Sequence, residues 1–187
     1  MTVPTFLTWL RVAAIPLMLA IYAMPAAWVG VGERNALATV LFMLSALTDW
    51  FDGFLARRWN QTSAFGAFLD PVADKLMVSA ALLVLLELSR IGALVALVII
   101  GREIAISALR EWMARIGRSR AVAVNWLGKV KTATQMAAIP LLLYDGHVGS
   151  LNTALWGGWL LDLAAALTLW SMLYYFKLAL GDIGAGD

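Results

Sequence analysis

Between Asp49 and Asp74 the chain reads Asp49-Trp50-Phe51-Asp52-Gly53-Phe54-Leu55-Ala56-Arg57, then eight residues, then Gly66-Ala67-Phe68-Leu69-Asp70-Pro71-Val72-Ala73-Asp74. Four carboxylates, Asp49, Asp52, Asp70 and Asp74, fall within 26 residues of a strongly apolar protein. Ionisable groups inside an apolar span are costly, and they mark functional sites more often than structural ones. Like charges gathered together need a counter-charge, and a divalent cation supplies it most simply. Asp49 and Asp52 are three residues apart, and Asp70 and Asp74 four apart, so each pair shares one helix face. Hard oxygen donors of this kind suit Mg²⁺, Mn²⁺ or Ca²⁺, and Mg²⁺ commonly shares its shell with substrate phosphates. Two such ions can clamp the attacking and leaving oxygens of a phosphoryl displacement.

The small residues between the pairs fit the same chemistry. Gly53 and Ala56 leave one helix face bare, and Gly66 does so at the start of the next helix, so a ligand or a neighbouring backbone can approach closely. Arg57 can bond a phosphate in bidentate fashion or serve as basic flanking. Pro71 suits a first helical turn, which would put Asp70 near the preceding loop.

These residues must be held by membrane helices. The chain has 187 residues, is 62% hydrophobic and 14% charged, and has a mean hydropathy of +0.81. Soluble domains average about 45–50% apolar and about 25% charged. With no cysteine, disulfide, thiolate and zinc–cysteine chemistry are excluded. The first apolar stretch lacks a basic n-region and a cleavage site, so it is expected to be retained as a span. Spans of about 20 apolar residues are expected at Phe6–Pro25, Ala36–Ala56, Ala67–Leu88, Ile91–Met113, Ala121–Tyr144 and Thr153–Phe176. The expected fold is all-α: one domain, residues 1–187, forming an integral membrane bundle of six helices.

The second to fifth helices each carry their polar residues at one end. Antiparallel succession brings these ends to one face, as a polar cavity open on that side. Arg57, Arg58, Arg115, Arg118, Arg120 and Lys177 lie on that side, and only Arg34 and Arg90 on the other. The positive-inside rule then makes the polar face and both termini cytoplasmic. Trp9, Trp28, Trp59 and Trp112, near helix ends, suit interfacial anchoring. Within the spans, Arg102, Lys129 and Lys131 read as functional cations, joined by Arg110. Several charge-assisted bonds of this kind suit an acceptor that carries its own phosphate. Arg102–Glu103 and Arg110–Glu111 can also pair internally. His147 reads as a solvated loop residue. Asp162 reads as an intramembrane acid held by internal hydrogen bonds. Pro16 and Pro140 are expected to kink the first and fifth helices.

The pattern Asp49-x-x-Asp52-Gly53-x-x-Ala56-Arg57, eight residues, then Gly66-x-x-x-Asp70-x-x-x-Asp74 resembles the signature of the CDP-alcohol phosphotransferases at every position. The resemblance implies a six-helix membrane enzyme, usually a homodimer. It would transfer a phosphatidyl group from CDP-diacylglycerol to an alcohol and release CMP. It implies Asp49, Asp52, Asp70 and Asp74 as metal ligands for Mg²⁺ or Mn²⁺, with two ions to a site. Asp74 would be the base that deprotonates the acceptor. Asp49, Asp52, Gly53, Ala56, Arg57 and Gly66 would bind the CDP group.

Further stretches look like the bacterial branch that forms phosphatidylglycerophosphate: Pro4-x-x-x-Thr8-x-x-Arg11, Gly101-Arg102-Glu103-Ile104, Ser107-Ala108-Leu109-Arg110-Glu111-Trp112 and Gly128-Lys129-Val130-Lys131-Thr132. Thr2 stands where many members have Asn. The implied acceptor is sn-glycerol 3-phosphate, its phosphate bound among Thr8, Arg11, Arg102, Arg110, Lys129 and Lys131. The implied site is the bacterial inner membrane, and no nucleic-acid partner is expected. Another phosphorylated acceptor such as inositol phosphate is the nearest alternative. An intramembrane prenyltransferase would space its Asp motifs on well-separated helices. A cation transporter would conduct ions and release no CMP.

Overall fold

The structure, a computed structural model, describes residues 3–25, 27–59, 64–117 and 126–184, without the side chains of 3–5, 50, 52–59, 64, 65, 67, 127, 175 and 178–184. It holds six helices: α1 (Val3–Ala23), α2 (Val31–Trp59), α3 (Ala64–Glu87), α4 (Ala93–Arg115), α5 (Trp126–Tyr144) and α6 (Thr153–Gly184). The expected spans and these helices coincide to within a few residues at most ends. Residues 121–125, expected to open the fifth span, lie outside the described residues. The main differences are extensions of α2 and α6, at helix ends where charged and small residues dilute the apolar run. A two-stranded hairpin, β1 (His147–Val148) and β2 (Leu151–Asn152), pairs antiparallel between α5 and α6. It turns at Gly149, whose φ of 62° lies in the left-handed region that glycine adopts without strain.

Adjacent helices close a ring in the order α1, α2, α5, α6, α4, α3, and α3 also reaches across to α2 and α5. A side chain on α3 can therefore face two different groups of helices, which matters for Asp74. The core fills one half of the bundle with Met18, Phe42, Leu82, Leu85, Ile99, Ile139, Leu143 and Leu161. Buried alanines, among them Ala38, Ala81 and Ala138, let helix backbones approach closely. At the α5–α6 crossing the approach is closest. A Cβ on Gly157 would lie 2.8 Å from Leu142 Cγ and 3.1 Å from the Leu142 backbone nitrogen.

The end opposite the acids is tied by Arg90. Its Nη1 donates to the carbonyls of Leu142 (3.0 Å) and Leu143 (2.8 Å), satisfying acceptors that the end of α5 leaves unpaired. Its Nη2 donates to Asn35 Oδ1 (3.0 Å) and pairs with Asp145 Oδ2 (3.1 Å). Arg34 donates through Nε to the Val29 carbonyl at 2.9 Å. Arg90 thus ties the end of α5 to α2, while the Arg34 bond is local. At α6, Asn152 Oδ1 accepts from the Leu155 N–H at 3.1 Å, an N-cap. Gly117, at φ 76°, follows the end of α4, where its N–H donates to the Ala114 carbonyl.

Three local expectations are corrected. Pro71 is not in the first turn of α3, because the helix begins at Ala64, seven residues earlier. Proline forfeits one backbone bond there, and the helix accommodates it inside a packed bundle. Asp162 is not internally bonded. It is exposed on α6 and makes no hydrogen bond or ion pair among the described residues. Its neighbours Trp159 and Leu163 are exposed with it, so the helix register turns this face outward. The 147–152 loop is a strand pair, too short to show an alternating pattern in sequence. Helix α1 continues through Pro16 and α5 through Pro140. His147 is exposed on β1, as expected.

The outside of the bundle is apolar, with Leu17, Leu47, Leu83, Leu97, Trp156 and Trp170 all exposed. Among the described residues two helices, Phe6–Ala23 and Thr153–Tyr174, are long and apolar enough to cross a bilayer.

Candidate active site

Two of the acids, Asp49 and Asp70, are contacted from α1, which packs against both α2 and α3. Asp49 lies near the C-terminal end of α2, and Asp70 and Asp74 lie in the first half of α3. Helix α1 reaches both elements. Arg11, only 2% exposed, places Nη1 2.7 Å from Asp49 Oδ1. The hydroxyl of the fully buried Thr8 donates to Asp70 Oδ1. Thr8 and Arg11 lie three residues apart on one face of α1. The structure therefore brings them to the acids, while Arg102 and Lys131 gather elsewhere. Each of these two carboxylates uses one oxygen in these contacts. Gly66 is buried near the start of α3. Asp52, Gly53, Ala56 and Arg57 follow along α2, and their side chains lie outside the described residues.

Asp74 sits between two clusters. On one side it shares a small cavity with Arg11, Phe42, Ser45 and Met136. On the other it lines a cavity of about 50 Å³ with Lys75, Val78, Glu103, Lys131, Thr132, Gln135 and Met136. The walls of the second cavity are turn-separated pairs: Asp74 and Val78 on α3, Lys131 and Gln135 on α5. Glu103 on α4 closes it. Lys131, 1% exposed, donates through Nζ to Glu103 Oε1. Arg102 Nη1 donates to the same oxygen at 3.2 Å, and its Nη2 donates to Ser171 Oγ on α6 at 3.3 Å. One carboxylate thus holds two buried cations, which in a low-dielectric interior need that partner.

Lys129 does not join Lys131. It is exposed, because two residues along a helix rotate a side chain about 200° to the other face. Arg110 lies about 12 Å further along α4 than Arg102 and is not among the walls of the cavity beside Asp74. Four polar wall residues, Lys75, Glu103, Thr132 and Gln135, were not read as site residues from sequence. The signal was present for Gln135 in its four-residue spacing from Lys131, and for Glu103 in its position beside Arg102. Neither spacing reveals that α3 supplies the opposite wall.

The arrangement offers a row of hard oxygen donors next to a carboxylate that also faces a buried cationic pocket. Residues 1–170 match the family of CDP-alcohol phosphatidyltransferases, and the chain belongs to that family. Its relatives include proteins named CDP-diacylglycerol–glycerol-3-phosphate 3-phosphatidyltransferase. That of Salmonella typhimurium (strain LT2) is 48% identical over 183 residues, covering 97% of this chain and 96% of the relative. That of Escherichia coli (strain K12) is 47% identical over the same length, with the same shares covered.

Proposed function

We propose that this chain transfers the phosphatidyl group of CDP-diacylglycerol to sn-glycerol 3-phosphate, giving phosphatidylglycerophosphate and CMP. The full-length likeness to relatives bearing that activity in their names supports the reaction. The observation that carries the residue roles is the position of Asp74, which lines both a cavity with Arg11, the partner of Asp49, and the cavity holding Lys131. A phosphate held at the cationic side puts the acceptor's hydroxyl against Asp74. The hydroxyl oxygen attacks the lipid-side phosphorus in line. The bond from that phosphorus to the oxygen of CMP breaks, CMP leaves, and the hydroxyl proton passes to the Asp74 carboxylate. Positioning and charge neutralisation do most of the work in such transfers.

Asp49, Asp52, Asp70 and Asp74 are the residues that would hold divalent metal. Among the described residues no three acidic or imidazole groups converge, and Asp52 is not among those whose side chains are described. The donor chemistry fits: carboxylate oxygens without sulfur or imidazole match Mg²⁺ or Mn²⁺. When bound, such ions supply charge neutralisation at the transferring phosphorus. Arg11 and Thr8 orient Asp49 and Asp70 from α1. Gly53, Ala56, Arg57 and Gly66 form the CDP side of the site. Lys131 and Arg102 bind the acceptor's phosphate, displacing part of their pairing with Glu103.

The apolar exterior supports six spans in a bilayer, with the acid cluster on the cytoplasmic side. We place the protein in the bacterial inner membrane as a homodimer. The test is CMP release by purified protein given CDP-diacylglycerol, Mg²⁺ or Mn²⁺, and one of glycerol 3-phosphate, inositol 3-phosphate, serine or no acceptor. Release is expected with glycerol 3-phosphate alone. Release with serine alone would overturn the assignment of a phosphorylated acceptor.

A further inference from the structure

Gln135 is 4% exposed, and its Oε1 is buried without a hydrogen-bond partner among the described residues. It lines the cavity that also holds Asp74, Glu103 and Lys131. A buried carbonyl oxygen left unpaired is costly, so its retention beside a reacting carboxylate calls for a ligand donor. Of the donors among the other walls, the Lys131 ammonium is engaged with Glu103, the Thr132 hydroxyl donates to the Gly128 carbonyl, and Lys75 makes no hydrogen bond to Gln135 among the described residues. Gln135 is one turn beyond Lys131 on α5, about 6 Å deeper into the bundle. A ligand anchored by its phosphate at Lys131 would therefore present its carbon chain to Gln135.

On the reaction proposed above, that ligand is glycerol 3-phosphate, which carries two hydroxyls on adjacent carbons. The primary hydroxyl attacks and gives its proton to Asp74. The secondary hydroxyl does not react, and it lies between the attacking oxygen and the phosphate. We infer that Gln135 is a specificity-determining residue whose Oε1 accepts a hydrogen bond from this secondary hydroxyl. An acceptor lacking the hydroxyl leaves Oε1 unpaired in the complex. Sites built to bond a hydroxyl reject analogues without it for this reason. The contact also fixes the rotation of the glycerol chain, and so the approach of the primary hydroxyl.

The experiment compares glycerol 3-phosphate with propane-1,3-diol monophosphate, which lacks only the secondary hydroxyl, by kcat/KM for CMP release. The wild-type chain should prefer glycerol 3-phosphate by about 10- to 100-fold. In Gln135→Met, of similar shape without the acceptor, the preference should fall to within about 3-fold, through loss with glycerol 3-phosphate while the deoxy acceptor is used as before. Gln135→Glu keeps an acceptor oxygen and should keep the preference. An equal loss with both acceptors in Gln135→Met would overturn the inference and leave Gln135 a structural role. An unchanged ratio in that variant, or a collapsed ratio in Gln135→Glu, would also overturn it. No CMP release by the wild-type chain with either acceptor would instead sink the underlying reaction, and this inference with it.

Discussion

Lys129 and Lys131 stand two positions apart in one helix, yet one is exposed and the other is buried against Glu103. They should respond very differently to substitution. On the proposed reaction Lys131→Gln removes the buried charge that would meet the acceptor's phosphate, so kcat/KM for glycerol 3-phosphate should fall by about 100-fold or more. Lys129→Gln should change it by less than about 3-fold, because an exposed charge is screened. Equal effects of the two would show that the cavity beside Asp74 is not the phosphate site. Asp74→Asn removes the proton acceptor and should lower kcat by about 10²- to 10⁴-fold while the protein remains folded. Near-normal turnover in that variant would move the base elsewhere. The identities of the four acids and their pairing on helix faces were legible in sequence, because helical spacing alone sets them. That Arg11 and Thr8 reach Asp49 and Asp70 was not, since those contacts cross between α1 and its neighbours.

At the scale of elements, two joints hold the bundle away from the chemistry. Gly157 lets α6 lie against Leu141 and Leu142 of α5. Gly157→Leu forces side chain into backbone and should destabilise the protein by about 1–3 kcal/mol, read as earlier thermal unfolding in detergent. An unshifted transition would mean that the crossing has room the geometry does not show. Arg90 caps α5 and links it to Asn35 and Asp145. Arg90→Met should cost about 2–3 kcal/mol through lost charge-assisted bonds and orphaned carbonyls, with kcat at low temperature unchanged. A selective loss of kcat without a stability change would contradict this structural role. Helix positions were readable from apolar run length. The β1–β2 hairpin and the start of α3 were not, because short strands and an interior proline carry signals that tertiary packing overrides.

For the whole molecule, the expected orientation has a direct check, because the chain has no cysteine of its own. His147→Cys on the exposed hairpin should react with a membrane-impermeant maleimide in intact cells. Arg115→Cys, at the exposed end of α4, should react only after permeabilisation. Reversed labelling would put the acid cluster outside and cut it off from cytoplasmic glycerol 3-phosphate. The closed order of helices explains how one short helix segment serves two purposes. Helix α3 touches α1, α2, α4 and α5, so Asp74 lines a cavity with Arg11 on one side and one with Glu103 and Lys131 on the other.

The sequence by itself determined the chemistry available: four carboxylates at helical spacing, cations within apolar helices, no thiols, and a family signature without a gap. These depend on residue identity and local periodicity, which the chain carries in its own order. Only the tertiary structure decided which of those groups meet. It set Arg11 on Asp49, buried Lys131 while exposing Lys129, made Glu103 the shared partner of two cations, and aimed Gln135 beside Asp74. Each of these outcomes depends on the rotation of one helix against another. That rotation is set by close packing of small and large side chains across the bundle, a property of pairs of helices that no single stretch of sequence contains.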